Sequence, residues 1–365
     1  MMADVDSSTV EDGLRISRRK ARNPIALLAK LLPRSAMSLM WRSDIRSWLA
    51  QEKPSIVHFH NPHPPGALLD AARACLELGI PYVISTHGFV EFNDFSRGFR
   101  RPYWQRVLIN RYVRRPIVAV VAHAARILML SPLEEPVLIG MGARRDQLDI
   151  VSNGVDPYFL EDVGEERRGK LLERFNLPKG KLLMLFVGNH TQNKGLDILL
   201  RAVSMMGSQG TAVIAGAIRS RAEHAKLLTD CGISESDPGV VFTDFLSKEE
   251  LRALYKTVDM FVFPSRADTL PLVILEAMAS GLPVVSTRVG GIPYQVTPET
   301  GILIEPDDAE CLADVLTRLC NDAALRRSLG DAARERVCRL FDWQASAQHA
   351  VEVYQEVLLS REQRT

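Results

Sequence analysis

Asp268 and Glu276, separated by seven residues, stand in the run FPSRADTLPLVILEAMASGLPVVSTRVGGIPYQV from Phe263 to Val296. A carboxylate accepts hydrogen bonds from hydroxyls, and a sugar is mostly hydroxyls. The short apolar run Met260 to Phe263 reads as a strand, and Val273 to Ser280 carries a helical pattern. The start of such a helix presents unpaired N–H groups and partial positive charge, a natural seat for phosphate. Pro271, Gly281, Gly290 and Gly291 keep the backbone close to whatever binds. The layout therefore suits a ligand that is both sugar and phosphate. The plain alternative is a buried strand–helix packing unit with Glu276 as a cap.

A second group lies upstream. Phe186-Val187-Gly188-Asn189 ends an apolar run, and Lys194-Gly195 opens a helical one. A glycine-bearing loop, a lysine and a helix start can together neutralise a diphosphate. Alone, Lys194 would read as a solvated surface lysine. Three histidines, His58, His60 and His63, cluster near Asn61-Pro62. Alternation puts the first two on one strand face, as in a metal site. No acids or cysteines complete the set, so no metal is expected. His87 follows another strand and precedes Gly88.

Glu276-Ala277-Met278-Ala279-Ser280-Gly281-Leu282-Pro283-Val284-Val285, with the acid seven residues before and the double glycine after, resembles the nucleotide-sugar signature of retaining GT-B glycosyltransferases of family 4. The resemblance implies a metal-independent sugar transfer with retention, from a nucleotide-diphosphate sugar to a hydroxyl of a glycan or lipid-linked acceptor in polysaccharide or glycoconjugate biosynthesis. The donor is a substrate, and no cofactor is expected.

Residue by residue, the resemblance implies that Glu276 binds ribose hydroxyls. Asp268 meets the donor sugar, with the backbone N–H groups of Leu270 and Leu272 and the Pro271 turn beside it. Gly188, Asn189 and Lys194 hold the diphosphate. His87 faces the sugar, so that His87, Lys194 and Asp268 are the catalytic candidates. Three positions depart from the pattern: Asn189 stands where many relatives have Arg, Asp268 where Glu is commoner, and Tyr294 where an acid is usual. Gln192 or Arg219 could compensate for the missing arginine. These departures keep alive a catalytically degenerate GT-B protein that binds a nucleotide-sugar or a partner without turnover.

The elements that must position these residues alternate. Expected strands are Ser55 to His60, Pro81 to Thr86, Ile117 to Val121, Ile127 to Leu130 and Leu148 to Val151. A second series comprises Leu182 to Val187, Thr211 to Ala215, Val240 to Phe242, Met260 to Phe263 and Val284 to Ser286. Helices lie between, which predicts α/β doubly wound parallel sheets. The fold class implied is GT-B, two Rossmann-like domains facing across a cleft, the first shortened at its N-terminus. The expected domains are 1–160 on the acceptor side, with 1–35 loosely ordered, and 161–344 for the nucleotide-sugar. A C-terminal helix over 345–365 carries an apolar stripe of Ala350, Tyr354, Val357 and Leu358 and is expected to return to the first domain.

The 365 residues suffice for two domains, and a net charge of +1 gives no reason to expect a nucleic-acid partner. The five cysteines are odd in number and scattered, which predicts reduced thiols and a cytoplasmic address. One local exception is Arg97 to Arg115, with seven arginines, no acid and four aromatics. That stretch suits an anionic membrane surface, while RNA and a solvated helix face stay open.

Overall fold

The structure is a computed structural model that describes residues 7–11, 13–18, 21–24, 41–87, 103–178, 180–218, 220–234 and 237–363. The chain divides into two compact units, Met1–Val151 with Gln348–Thr365, and Ser152–Ala347.

The first unit holds a four-stranded parallel sheet: β1 (Val57–Phe59), β2 (Tyr82–Ser85), β3 (Arg126–Met129) and β4 (Leu148–Ile150), in that order. Strand alternation sends neighbouring residues to opposite faces. On one face Tyr82, Ile84, Ile127 and Met129 pack against α1 (Pro65–Glu77) and α2 (Arg115–His123). On the other, Val83 and Leu128 meet Val353 and Val357 from the C-terminal helix, Trp343–Glu362. Both faces are covered, as a parallel sheet requires.

Two expectations fail here. Ile117 to Val121, expected as a strand, lies within α2. Ile117, Val120 and Val121 are buried while Val118 and Ala119 are half-buried, a helical spacing that an apolar run of five residues does not reveal. The opening residues, expected to be loose, include an antiparallel hairpin, Ser7–Glu11 with Leu14–Arg18, and a short pair of Ala21–Arg22 with Arg42–Ser43. The hairpin leaves Val10 and Leu14 exposed and carries no apolar face that would mark it as strand.

The second unit holds a six-stranded parallel sheet: β5 (Leu182–Val187), β6 (Gly210–Ala215), β7 (Val240–Asp244), β8 (Met260–Phe263), β9 (Val284–Thr287) and β10 (Gly301–Ile304). Their order is β7-β6-β5-β8-β9-β10. The first strand of the unit is therefore central, and the winding reverses between β5 and β8. β10 is an element that the sequence reading does not include. All five cysteines are free thiols. No helix of the described residues is long and apolar enough to cross a membrane.

Candidate functional site

In an open parallel sheet, ligands sit outside the carboxyl ends of the strands where the winding reverses. Here that place is formed by the loops after β5 and β8. The loop after β5 runs from Gly188 to Lys194. The Gly188 N–H donates to Ala215 O at 2.9 Å. A Cβ on Gly216, whose φ is +155°, would fall 1.9 Å from Gly188 O, so the two loop starts touch backbone to backbone. Gln192–Lys194 forms one tight turn, and Gly195 (φ +69°) starts α3 (Leu196–Met206). A Cβ on Gly195 would lie 1.8 Å from Pro264 O. Glycine at 195 thus lets the loop after β8 rest on the loop after β5.

The carbonyls of that second loop are taken up one after another. Ser286 Oγ donates to Phe263 O at 2.6 Å and Thr287 Oγ1 to Ser265 O at 2.5 Å. The Gly291 N–H donates to Thr269 O at 2.7 Å, Asn153 Nδ2 to Leu270 O at 3.0 Å and Gln295 Nε2 to Pro271 O at 3.0 Å. The double glycine has a direct steric reason: a Cβ on Gly290 would sit 1.7 Å from Asp268 O, and one on Gly291 2.2 Å from Thr269 O. Bonds to the carbonyls of Ser265, Thr269, Leu270 and Pro271 thus fix the course of the loop. α5 (Leu272–Ala279) begins without a side-chain cap, so its first N–H groups have no partner within the helix.

Arg266 joins the two loops. Its guanidinium grips both carboxylate oxygens of Asp197 at 2.7 Å, and it also reaches Asp307 and Gln192 O, each at 2.5 Å. Burial alone would raise the Asp197 carboxyl, but Arg266 holds it below the ordinary carboxylate range. Against this frame Lys194 Nζ meets Asp268 Oδ2 at 2.5 Å, and the ammonium lies 5.6 Å from the Phe263 ring centre.

Glu276 lies one turn inside α5. Burial raises its carboxyl above the usual range, and a hydrogen bond from Tyr255 opposes the rise. Tyr255, at the end of α4 (Lys248–Tyr255), is fully buried. Its hydroxyl is 3.0 Å from Glu276 Oε2 and 3.2 Å from Val273 O, so one proton serves two acceptors.

The structure thus brings Lys194, Asp268, Leu270, Pro271, Leu272 and Glu276 onto two adjoining loops and one helix, with Gly188 and the exposed Asn189 on the first loop. Arg266 and Tyr255 were not anticipated. Arg219 lies outside the described residues, and Gln192 contributes its carbonyl to Arg266. The Tyr294 ring packs edge-on against Phe341 at 5.6 Å, and its carbonyl accepts from Arg336 at 2.7 Å. Asn153 and Gly154 belong to the second unit: Asn153 supports Leu270, and a Cβ on Gly154 would lie 2.3 Å from Trp343 N.

In the first unit His87 follows β2, exposed, its ring 6.1 Å from that of His60. Both ring nitrogens of His58 are engaged, by Tyr354 Oη at 2.6 Å and Ser85 Oγ at 2.8 Å. Burial, with His60 and His87 adding to it, lowers its pKa to about 4. Of the arginine-rich stretch, 97–102 lies outside the described residues. Arg106, Arg111, Arg114 and Arg115 are exposed, as are Val107, Leu108 and Tyr112.

Residues 181–322 match the family model for glycosyl transferases group 1, and residues 5–159 match that for Glycosyltransferase Family 4. The second match begins well before Ser55, upstream of the first strand expected from sequence. Sulfoquinovosyl transferase SQD2 of Arabidopsis thaliana is 33% identical over 323 residues, covering 85% of this chain and 58% of the relative. A D-inositol 3-phosphate glycosyltransferase of Corynebacterium diphtheriae is 34% identical over 223 residues, covering 58% and 51%. The chain thus spans between about half and three-fifths of these relatives' length. Among solved structures, Anabaena HepE in complex with UDP-glucose superposes with a TM-score of 0.72 at 19% identity, covering 89% of this chain and 84% of that one. A sucrose-phosphate synthase from Thermosynechococcus elongatus gives 0.71 at 24%, covering 87% and 77%. These likenesses establish the GT-B fold class.

Proposed function

Because the chain belongs to glycosyltransferase family 4, with a group 1 glycosyltransferase region in its second unit, we propose that it transfers a sugar from a nucleotide-diphosphate donor to a hydroxyl of a glycan or lipid-linked acceptor. The observation that carries this reading is the Lys194–Asp268 pair, held at 2.5 Å where the winding of the sheet reverses. A lysine there suits a diphosphate, and the free N–H groups at the start of α5 add to the same potential. Glu276, one turn further on, suits the two ribose hydroxyls. When the donor enters, Lys194 exchanges Asp268 for phosphate oxygens, and Asp268 is released to the sugar. His87 is proposed as a further sugar ligand.

In the reaction the bond from the anomeric carbon to the phosphate oxygen breaks, and negative charge develops on the leaving diphosphate. Lys194 and the N–H groups of α5 stabilise that charge as it grows. The acceptor hydroxyl attacks from the leaving-group side, so configuration is retained, and its proton passes to the departing phosphate. No metal is required in this scheme, and EDTA should leave the rate unchanged. HepE was solved with UDP-glucose, which makes a UDP-sugar the first donor to try. The exposed arginines and apolar side chains between Arg106 and Arg115 suit an anionic membrane surface, and with it a lipid-linked acceptor.

The test is binding of UDP-, GDP- and ADP-sugars to the purified chain and to its Lys194→Ala and Glu276→Ala variants. A donor that stabilises the parent and neither variant supports the reading. A folded protein that binds none overturns it. Binding without transfer to any acceptor would favour a non-catalytic role, for which the uncharged Asn189 is the specific motive.

A further inference from the structure

A cavity of about 520 Å³ lies in the second unit away from the donor loops. Val258 and Asp259 in its wall immediately precede β8, and Leu282 and Pro283 immediately precede β9. It therefore opens at the amino edge of the sheet, opposite the carboxyl edge that carries Lys194 and Asp268. Five cations line it, Arg168, Lys256, Arg326, Arg327 and Arg334, against two acids. Both acids are occupied. Asp259 accepts from the Leu183 N–H at 2.8 Å, and Asp162 accepts from the Val163 N–H at 2.8 Å and from Arg168 at 2.5 Å. Lys256, Arg326, Arg327 and Arg334 form no salt bridge among the described residues. Arg326 and Arg334 are instead fixed by main-chain carbonyls: Arg334 donates to Ala279 O at 2.8 Å and Leu160 O at 2.7 Å, and Arg326 to Cys320 O at 3.1 Å. Burial, then Arg334, lowers the Lys256 pKa to about 8, and the nearby Asp162 does not offset them. The Ser280 hydroxyl in the wall is buried without a hydrogen-bond partner.

Four cations without a salt bridge among the described residues, an unpaired hydroxyl and an excess of five cations over two acids describe a receptor for a small, multiply charged anion. We propose that this cavity binds a soluble phosphate-bearing anion, and that its occupancy is transmitted to Glu276. The route is short. Tyr255 lines the cavity and hydrogen-bonds Glu276, and Arg334 holds the last carbonyl of α5, the helix that carries Glu276. The binding stands on the cavity alone, whereas the coupling rests on Glu276 being a donor ligand.

Inorganic pyrophosphate is the probe, titrated calorimetrically into the full chain. Arg327, exposed at the rim, is the residue to change, to Glu and separately to Lys. Lys194→Ala reports on competition from the donor loop. The expected result is equal affinity in the parent and Lys194→Ala, at least tenfold loss in Arg327→Glu and recovery in Arg327→Lys. Unchanged affinity in Arg327→Glu, loss in Lys194→Ala, or no binding at all would overturn the site. Displacement of pyrophosphate by phosphatidic acid vesicles would overturn the soluble ligand. For the coupling, the affinity for the nucleotide chosen by the donor screen should change at least threefold at saturating pyrophosphate in the parent and stay constant in Arg327→Glu. Constancy in the parent, or an equal change in Arg327→Glu as direct competition at the donor loop would give, would overturn it. A failed donor screen beside intact pyrophosphate binding would remove the donor reading and leave the cavity's ligand standing.

Discussion

Lys194 and Asp268 form an ion pair, and that pairing sets what each substitution should do. Lys194→Ala removes the cation proposed to meet the leaving diphosphate; the loss of one such preorganised donor costs about 10²–10³ in kcat. Its fold should persist, since the lysine is partly exposed and packs only loosely over Phe263. Steady-state kinetics beside a melting curve separates the two effects. Tyr255 acts through Glu276. In Tyr255→Phe the bond that opposes burial is gone, so the Glu276 carboxyl rises further and stays protonated to higher pH. The donor KM should increase about tenfold, as for loss of a hydrogen bond to a charged group, and more at acid than at alkaline pH. A KM shift independent of pH would mean that Tyr255 only fills space. Asp268 and Glu276 were legible in the sequence because their spacing is local, and Lys194 because Gly195 follows it at a helix start, although 74 residues separate it from Asp268. Arg266 and Tyr255 were not, because their partners Asp197 and Glu276 lie 69 and 21 residues away and only the folded sheet brings them close.

Between residues and molecule, the elements succeed or fail by how much of each is buried. β5 and β8 have the bounds their apolar runs predict, since a central parallel strand buried on both faces reads as an unbroken apolar stretch. β10 escapes notice because it is short, starts with glycine and follows a polar turn. α2 misleads because its β-branched run mimics a strand. The contact of the two site loops depends on glycine at 195. Gly195→Ala adds a Cβ at positive φ and within 1.8 Å of Pro264 O, so the loops must part. About 3 kcal/mol of stability should be lost, with donor affinity falling alongside. Arg266→Ala strands the partly buried Asp197 and should cost about 2 kcal/mol, less than a fully buried pair because both groups keep some water. Urea unfolding followed by fluorescence measures both. If Gly195→Ala unfolds like the parent, the close approach of the loops is not required.

At the scale of the whole molecule, His58 on β1 and Tyr354 on the C-terminal helix are 296 residues apart in sequence and 2.6 Å apart in space. The apolar stripe on that helix made its return to the first sheet legible, but the histidine's part in it was not, because a histidine on a strand gives no sign of its partner. Burial of His58 at this contact makes stability depend on pH. His58 titrates at about 4 in the folded chain and near 6.5 when unfolded, so the unfolded chain binds more protons between those values. Its contribution is complete above 6.5 and is lost as pH falls toward 4. The melting temperature should decline across that window, and His58→Gln should flatten part of the decline. His190, lowered to about 4 by burial first and then by His224, adds to the same decline, as do His60, His63 and His87, each lowered by burial. An unchanged slope in His58→Gln would mean that His58 is not held neutral.

Because Gln348–Thr365 completes the first unit while Ser152–Ala347 is one uninterrupted span, the order of synthesis is not the order of completion. During translation the nascent chain exposes Val83 and Leu128 for as long as Val353 and Val357 are still inside the ribosome, although the whole second sheet has already emerged. A stalled or clipped product lacking Gln348–Thr365 would therefore carry a finished second unit beside an open apolar face, a species that chaperones and proteases would engage first.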